Sequence, residues 1–170
     1  MKEKLLTREY ILECLEYRSE DGVFAWKERP LHHFKNKHAH AIWNGRYSGN
    51  IAGTVTKYGY IAISINKKLF AAHRLAWIIQ FGSWPSEQID HINRNPSDNR
   101  IENLRDVPAS QNLYNRGAAA KNKSGRVGVS YCKRTKSWCS TFGRKRIGRF
   151  KSLEEAIESR VLAEKESLAE

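Results

Sequence analysis

Apolar residues Tyr10, Ile11, Cys14 and Leu15 recur at helical spacing behind Thr7, whose hydroxyl suits a helix N-cap, so a first helix is predicted there. A short apolar run at residues 22–26 predicts a strand, and residues 28–50 show little periodicity and predict a solvated loop. Alternating positions in Tyr58–Ile65 and Leu69–Ala72, separated by Asn66-Lys67-Lys68, predict a hairpin that leads into a helix running through Trp77. The stretch Asn93–Asn99 is rich in turn formers, and a helix-like segment follows from Pro108 to Asn115.

The pattern then changes. Residues 117–125 are small and polar, which predicts a linker at 117–124 between a domain at 1–116, with its core at 58–116, and another at 125–170. In the second domain, residues 127–133, 138–142 and 144–150 read as three short strands. Ser152-Leu153-Glu154-Glu155 is a capping box opening a helix that offers Leu153, Ala156, Ile157 and Val161 to the sheet. The fold class expected is α+β.

Charge changes the picture more than composition does. The 170 residues carry a formal net charge of +12, which points to a polyanionic partner. From Lys121 to Lys151 there are 11 basic residues and no Asp or Glu. A merely solvated surface interleaves both signs, so this block is expected to track phosphates. No apolar run approaches the length of a membrane span and the first residues lack a signal-peptide core, so a soluble intracellular protein is expected. Cys14, Cys132 and Cys139 form no CxxC pair and are expected to be free thiols. No heptad pattern suggests a dimer, and a monomer is expected.

The candidate chemistry is concentrated in one window. Asp90 and His91 are adjacent, with Asn103 and Asn112 following. A carboxylate and a carboxamide oxygen suit a hard divalent cation, while a neutral imidazole can take a proton from water near pH 7. Adjacent strand residues point to opposite faces, so a return strand and a helix are needed to bring Asp90 and Asn112 to one ion with His91 on the other side of a phosphate. His73 sits in the apolar run Leu69–Ile79 and is expected to support the site structurally. The residues His32, His33, His38 and His40 could hold a metal, but no Cys or carboxylate completes a ligand set, so a solvated or DNA-touching loop is expected.

The stretches His73-Arg74-Leu75-Ala76-Trp77, Asp90-His91-Ile92-Asn93, residues 98–105 and Gln111-Asn112 together resemble the ββα-metal finger of HNH endonucleases, most closely the phage and intron homing type. The resemblance implies His91 as the general base and Asn103 as the residue that holds its imidazole through a side-chain carbonyl. It further implies Asp90 and Asn112 as ligands of a single Mg²⁺ or Mn²⁺ ion, and double-stranded DNA cut to 5′ phosphate and 3′ hydroxyl ends. A phage-encoded, free-standing homing endonuclease acting in the bacterial cytoplasm is the implied setting. A catalytically inactive DNA-binding regulator is the alternative.

Residues Gly128-Val129, Trp138, Gly148-Arg149-Phe150 and Glu154-Glu155-Ala156 resemble the ethylene-response-factor (Apetala-type) DNA-binding domain, which lays a three-stranded sheet in the major groove. If Val129, Tyr131, Trp138, Ser140, Phe142 and Ile147 face the helix, then Ser130, Cys132, Cys139, Thr141, Arg144 and Arg146 face outward. Candidate DNA contacts are therefore Arg144 and Arg146 foremost, with Ser130, Thr141, Lys133 and Arg134.

Overall fold

The computed structural model describes residues 6–109, 111–112 and 122–169. The chain forms two compact units, residues 1–112 and residues 113–170. Ser110 and residues 113–121, which hold most of the expected linker, lie outside the described residues.

In the first unit, α1 (Arg8–Cys14) begins at Thr7, whose side chain accepts the Tyr10 N–H at 3.3 Å. Leu15 lies beyond the helix: it opens β1 (Leu15–Arg18), which pairs antiparallel with β2 (Val23–Trp26). The predicted loop at 28–50 contains a 3-10 turn at Leu31–His33 and a helix, α2 (Lys37–Tyr47). Asn36 caps α2 by accepting the Ala39 N–H at 2.8 Å. This helix escaped the periodicity test because it lacks a continuous apolar stripe; it docks instead through Asn44, whose carboxamide bonds both the N–H and the C=O of Arg29.

A three-stranded antiparallel sheet follows, in the order β3 (Thr54–Val55), β4 (Ile61–Ile65), β5 (Lys68–Ala71). Asn66 and Lys67 join β4 to β5 with φ of 51° and 62°, the positive pair that a two-residue hairpin turn needs to match strand twist. The predicted strand was longer: Tyr58 and Gly59 form a turn, and Gly59 takes φ 83°. Then α3 (Ala72–Phe81) ends at Gly82, which adopts the left-handed conformation at φ 81°. A hairpin of β6 (Gln88–His91) and β7 (Leu104–Val107) completes the unit, and residues 111 and 112 are helical after Pro108. The core joins Ile11 and Leu15 to Phe24, Ile63, Phe70 and Leu75, and extends to Ile89 and Leu104 beneath the last hairpin.

The second unit is an antiparallel sheet of β8 (Val129–Cys132), β9 (Ser137–Phe142) and β10 (Lys145–Phe150), in the order β10-β9-β8, with α4 (Leu153–Ala169) against it. Ser152 accepts the Glu155 N–H at 3.1 Å, and Glu155 reaches back to the Lys151 N–H. Asn122 and Ser124, expected in the linker, are bound into this unit: Asn122 accepts the Ser124 N–H at 3.1 Å, and the buried Ser124 hydroxyl donates to the Val129 carbonyl at 2.7 Å. Gly128 must be glycine, since its φ is 81° and a Cβ would stand 2.4 Å from the Thr141 carbonyl oxygen.

The expected inward face is only partly realised. Val129 and Ser140 pair across the sheet and are buried with Ala156, but a register shift between Arg146 and Gly148 displaces Ile147, which is 36% exposed. Cys139, expected outward, is buried. The largest buried side chain is Arg160, whose guanidinium lies 4.5 Å from the Phe142 ring and bonds Glu164 at 2.9 Å.

Candidate active site

His91 ends β6, and the hairpin register places Asp90 opposite Arg105 and His91 opposite Leu104. The site is closed: Asp90, His91 and Asn103 are each 5% exposed and Asn99 is fully buried. Alternation along β6 sends Asp90 and His91 to opposite faces. On the Asp90 face, Arg105 forms a bidentate contact with Oδ2, from Nε at 2.8 Å and Nη2 at 2.6 Å. Two residues back along the same strand face, the Gln88 side chain accepts a hydrogen bond from Asn112 Nδ2 at 2.9 Å.

The His91 face is aromatic. His73, from the first turn of α3, meets His91 edge to face with ring centroids 5.1 Å apart, and Tyr60 lies 5.5 Å from His73 and 5.8 Å from His91. Burial is the main cause pushing His91 below the ordinary histidine pKa, against the opposing pull of Asn99, Asp90 and Asp98. His73 is pushed down to about 3 by burial first, then by His91 and Arg74. Its Nδ1 is buried without a hydrogen-bond partner among the described residues. Both rings are consequently neutral near pH 7, as a proton acceptor must be.

The Asn103 side chain is engaged by the loop that follows His91. Its Oδ1 accepts the Asn93 N–H at 2.9 Å, its Nδ2 donates to the Asp98 carbonyl at 2.9 Å, and its backbone carbonyl accepts the Ile92 N–H at 2.9 Å. It clamps the two residues that follow His91 and so positions the imidazole through the backbone. Asn99 lies against the ring and is one of the groups that favour its protonated form, with Asp90 and Asp98. The contact is poorly aligned, for Asn99 Oδ1 makes no full hydrogen bond among the described residues. Asn99 stood within the motif at residues 98–105, but only its burial separates it from the surrounding turn-forming asparagines.

The loop between the strands is locked from two sides. Arg100 grips Asp98 at 2.9 and 2.8 Å, and this contact is the main cause holding the Asp98 carboxyl down at about 2. From the N-terminal hairpin, Tyr17 donates to the Asn99 carbonyl at 2.8 Å, and Gly22, at φ 71°, packs so closely that a Cβ would lie 2.5 Å from the Arg100 nitrogen. Neither Tyr17 nor Gly22 carries a sequence signal for this role. Beside the site, a hollow of about 610 Å³ is lined by Tyr58, Tyr60, His73, Arg74, Gln88 and Asn112, among others.

The histidine segment does gain a carboxylate, from α1 and not from its own stretch of chain. Glu13 Oε2 lies 2.6 Å from His33 Nε2 and 3.2 Å from His32 Nε2, and the three residues form a group that could hold a metal ion. His33 Nδ1 accepts from Arg29 Nε at 3.1 Å, which leaves the proton on Nε2 facing Glu13; a metal there would have to displace it.

The six candidate DNA-contact residues of the second unit do not stand alike. Arg146 on β10 and Ser130 on β8 are exposed. Lys133 and Arg134 occupy the β8–β9 turn and Arg144 the β9–β10 turn, so Arg144 is presented from a turn and not from a strand face. The Thr141 hydroxyl is used within the fold, donating to the Gly128 carbonyl at 3.1 Å.

Among the described residues, no helix is long and apolar enough to cross a membrane. No curated protein and no solved structure matches the chain. Residues 70–114, which contain His73, Asp90, His91, Asn99, Asn103 and Asn112, match the family model described as HNH endonuclease, and this match supports a nuclease.

Proposed function

We propose that the protein is a metal-dependent endonuclease that hydrolyses phosphodiester bonds of double-stranded DNA, with β6, β7 and the helical turn at 111–112 serving as a ββα-metal finger. The observation that supports this most is the state of His91, a buried imidazole held neutral at the end of a strand whose other face carries Asp90. A neutral ring accepts the proton of an attacking water. Asn103 fixes the backbone after it, Asn99 favours the imidazolium that forms, and His73 with Tyr60 walls the ring so that it keeps one orientation.

The opposite face fits a hard cation by its chemistry. Asp90 and Asn112 offer oxygen donors, Asn112 being tied through its Nδ2 to Gln88 of the strand that carries Asp90, and they would hold the ion. When bound, Mg²⁺ or Mn²⁺ supplies charge stabilisation to the scissile phosphate and the leaving 3′ oxygen. The exposed basic residues of the second unit, Arg146, Arg144, Lys133 and Arg134 foremost, are assigned to phosphate contact, as in an Apetala-type domain. A phage-borne homing enzyme working as a monomer in a bacterial cytoplasm remains the setting the motif suggests.

The test is plasmid cleavage by the full chain with Mg²⁺ or Mn²⁺, with EDTA and His91→Ala as controls. Metal-dependent nicking or linearisation that His91→Ala abolishes supports the reading. DNA binding without cleavage under every metal would make the protein a regulator that kept the two modules.

A further inference from the structure

A second hollow in the first unit, of about 650 Å³, has a composition that the His91 site does not explain. Its walls include Trp26, Phe34, Trp43 and Tyr47, and its polar lining includes Arg29 and Lys67. Trp26 and Trp43 meet edge to face at 5.1 Å, while Tyr47 lies 5.1 Å from Trp43.

Arg29 is the unusual member. It is 4% exposed, yet it forms no ion pair among the described residues. Its Nε donates to His33 Nδ1, and its Nη2 donates to Tyr10 Oη at 2.8 Å and Asn66 Oδ1 at 3.0 Å. Its Nη1 makes no hydrogen bond among the described residues and is not sealed from solvent. The guanidinium also lies 4.9 Å from the Trp43 ring and 5.2 Å from Phe34. Cation–π contact offsets part of the desolvation of a buried charge, but an unpaired buried cation remains costly. Such a group beside aromatic faces suits a ligand that combines a flat ring with negative charge.

The position of the hollow narrows the ligand further. Ala62 and Leu69, on the β4–β5 hairpin, line both this hollow and the one beside His73 and Asn112. A strand crossing that hairpin can reach both. We propose that the aromatic hollow takes one unstacked nucleotide of the DNA on which the nuclease acts, with its base against Trp43 and Tyr47 and its phosphate toward Arg29 Nη1 and Lys67. This inference rests on the nuclease reading above. Base stacking on aromatic side chains tolerates any sequence, so the hollow serves to hold strand and not to read it.

The experiment measures binding of fluorescein-labelled oligothymidylate to the full chain by anisotropy, with thymidine monophosphate as competitor, for wild type, Trp43→Leu and Tyr47→Leu. Both substituted positions are half-buried, and thermal melts confirm that each variant is folded. The expected result is a loss of oligonucleotide affinity of about 5- to 150-fold for Trp43→Leu and a smaller loss for Tyr47→Leu, with only weak competition by the mononucleotide. Unchanged oligonucleotide affinity in both folded variants overturns the proposal. A mononucleotide that competes fully at concentrations comparable to the oligonucleotide overturns the strand assignment in favour of a free nucleotide. Plasmid cleavage by wild type and His91→Ala is scored in parallel, so failure of the nuclease reading is separated from failure of the hollow.

Discussion

The hydroxyl of Tyr17 donates to the backbone carbonyl of Asn99 across 82 positions of sequence, at 2.8 Å. The loop beside His91 is thus anchored by the N-terminal hairpin. Gly22 adds a close approach on the same loop. Gly22→Ala should cost more than about 1 kcal/mol, because it forces a side chain into a left-handed backbone position and against the Arg100 nitrogen. Tyr17→Phe removes one hydrogen bond and should cost about 1 kcal/mol. Urea denaturation with cleavage rates on the folded fraction checks both, and a fully stable, fully active Gly22→Ala would refute the brace.

If His91 is the general base proposed above, His91→Ala should reduce cleavage by about 10²- to 10⁴-fold with DNA affinity nearly unchanged, since the imidazole would act on water and not on the phosphate backbone. Asn99→Ala and Asn103→Ala should retain part of the activity, because each supports the ring without replacing it. Single-turnover rates beside filter-binding affinities give the comparison; wild-type cleavage by His91→Ala removes it from the mechanism.

Asp90→Ala or Asn112→Ala should raise the Mg²⁺ concentration needed for half-maximal cleavage, and EDTA should stop the wild-type protein. Metal titrations of cleavage rate measure this directly. Full activity in chelator would rule out the oxygen-ligand site.

His73 predicts a specific acid sensitivity. Its folded pKa of about 3 lies below the ordinary 6.5, so between these values the unfolded chain takes up a proton that the folded protein refuses. The stability from a neutral His73 is therefore fully present above about pH 6.5 and falls as the pH drops toward 3, by up to about 1.4 kcal/mol per pH unit. His73→Gln should flatten this part of the profile by about one proton in urea unfolding between pH 7 and pH 5. Equal slopes in the two proteins would place an ordinary histidine at this position.

Arg144→Ala combined with Arg146→Ala should lower DNA affinity and reduce the log-log salt slope by up to about 2, since each lost phosphate contact removes about 0.9. The metal requirement should not change. Salt titrations of binding that give the wild-type slope would move the phosphate contacts elsewhere.

Much of this was legible in sequence where a local pattern decides the structure. The Asn66-Lys67 hairpin, the Thr7 cap and the Ser152 cap each depend on a few adjacent residues, and each formed. The antiparallel return strand expected after Asp90-His91 also formed, with His91 opposite Leu104. What stayed hidden depends on distant contacts. The α2 helix is held by Asn44 on Arg29 and not by an apolar stripe; Glu13 reaches His32 and His33 from another element; the displacement of Ile147 follows from strand register. Asn99 and Asn103 are chemically identical in sequence, and only the fold shows that Asn99 is fully buried while the Asn103 side chain ties Asn93 to Asp98.

The pairing of Asp90 with Arg105 has a consequence for the life of the molecule before it meets any substrate. A carboxylate left alone in a closed site would repel burial, and proteins that rely on a metal to neutralise such a group unfold when the metal is stripped. Here the hairpin carries its own counter-charge, placed directly opposite by strand register. On the proposed reading, assembly of the site would thereby be uncoupled from loading: the hairpin would fold with Asp90 already neutralised, and a cation would act as an on-switch for chemistry and not as a nail in the structure.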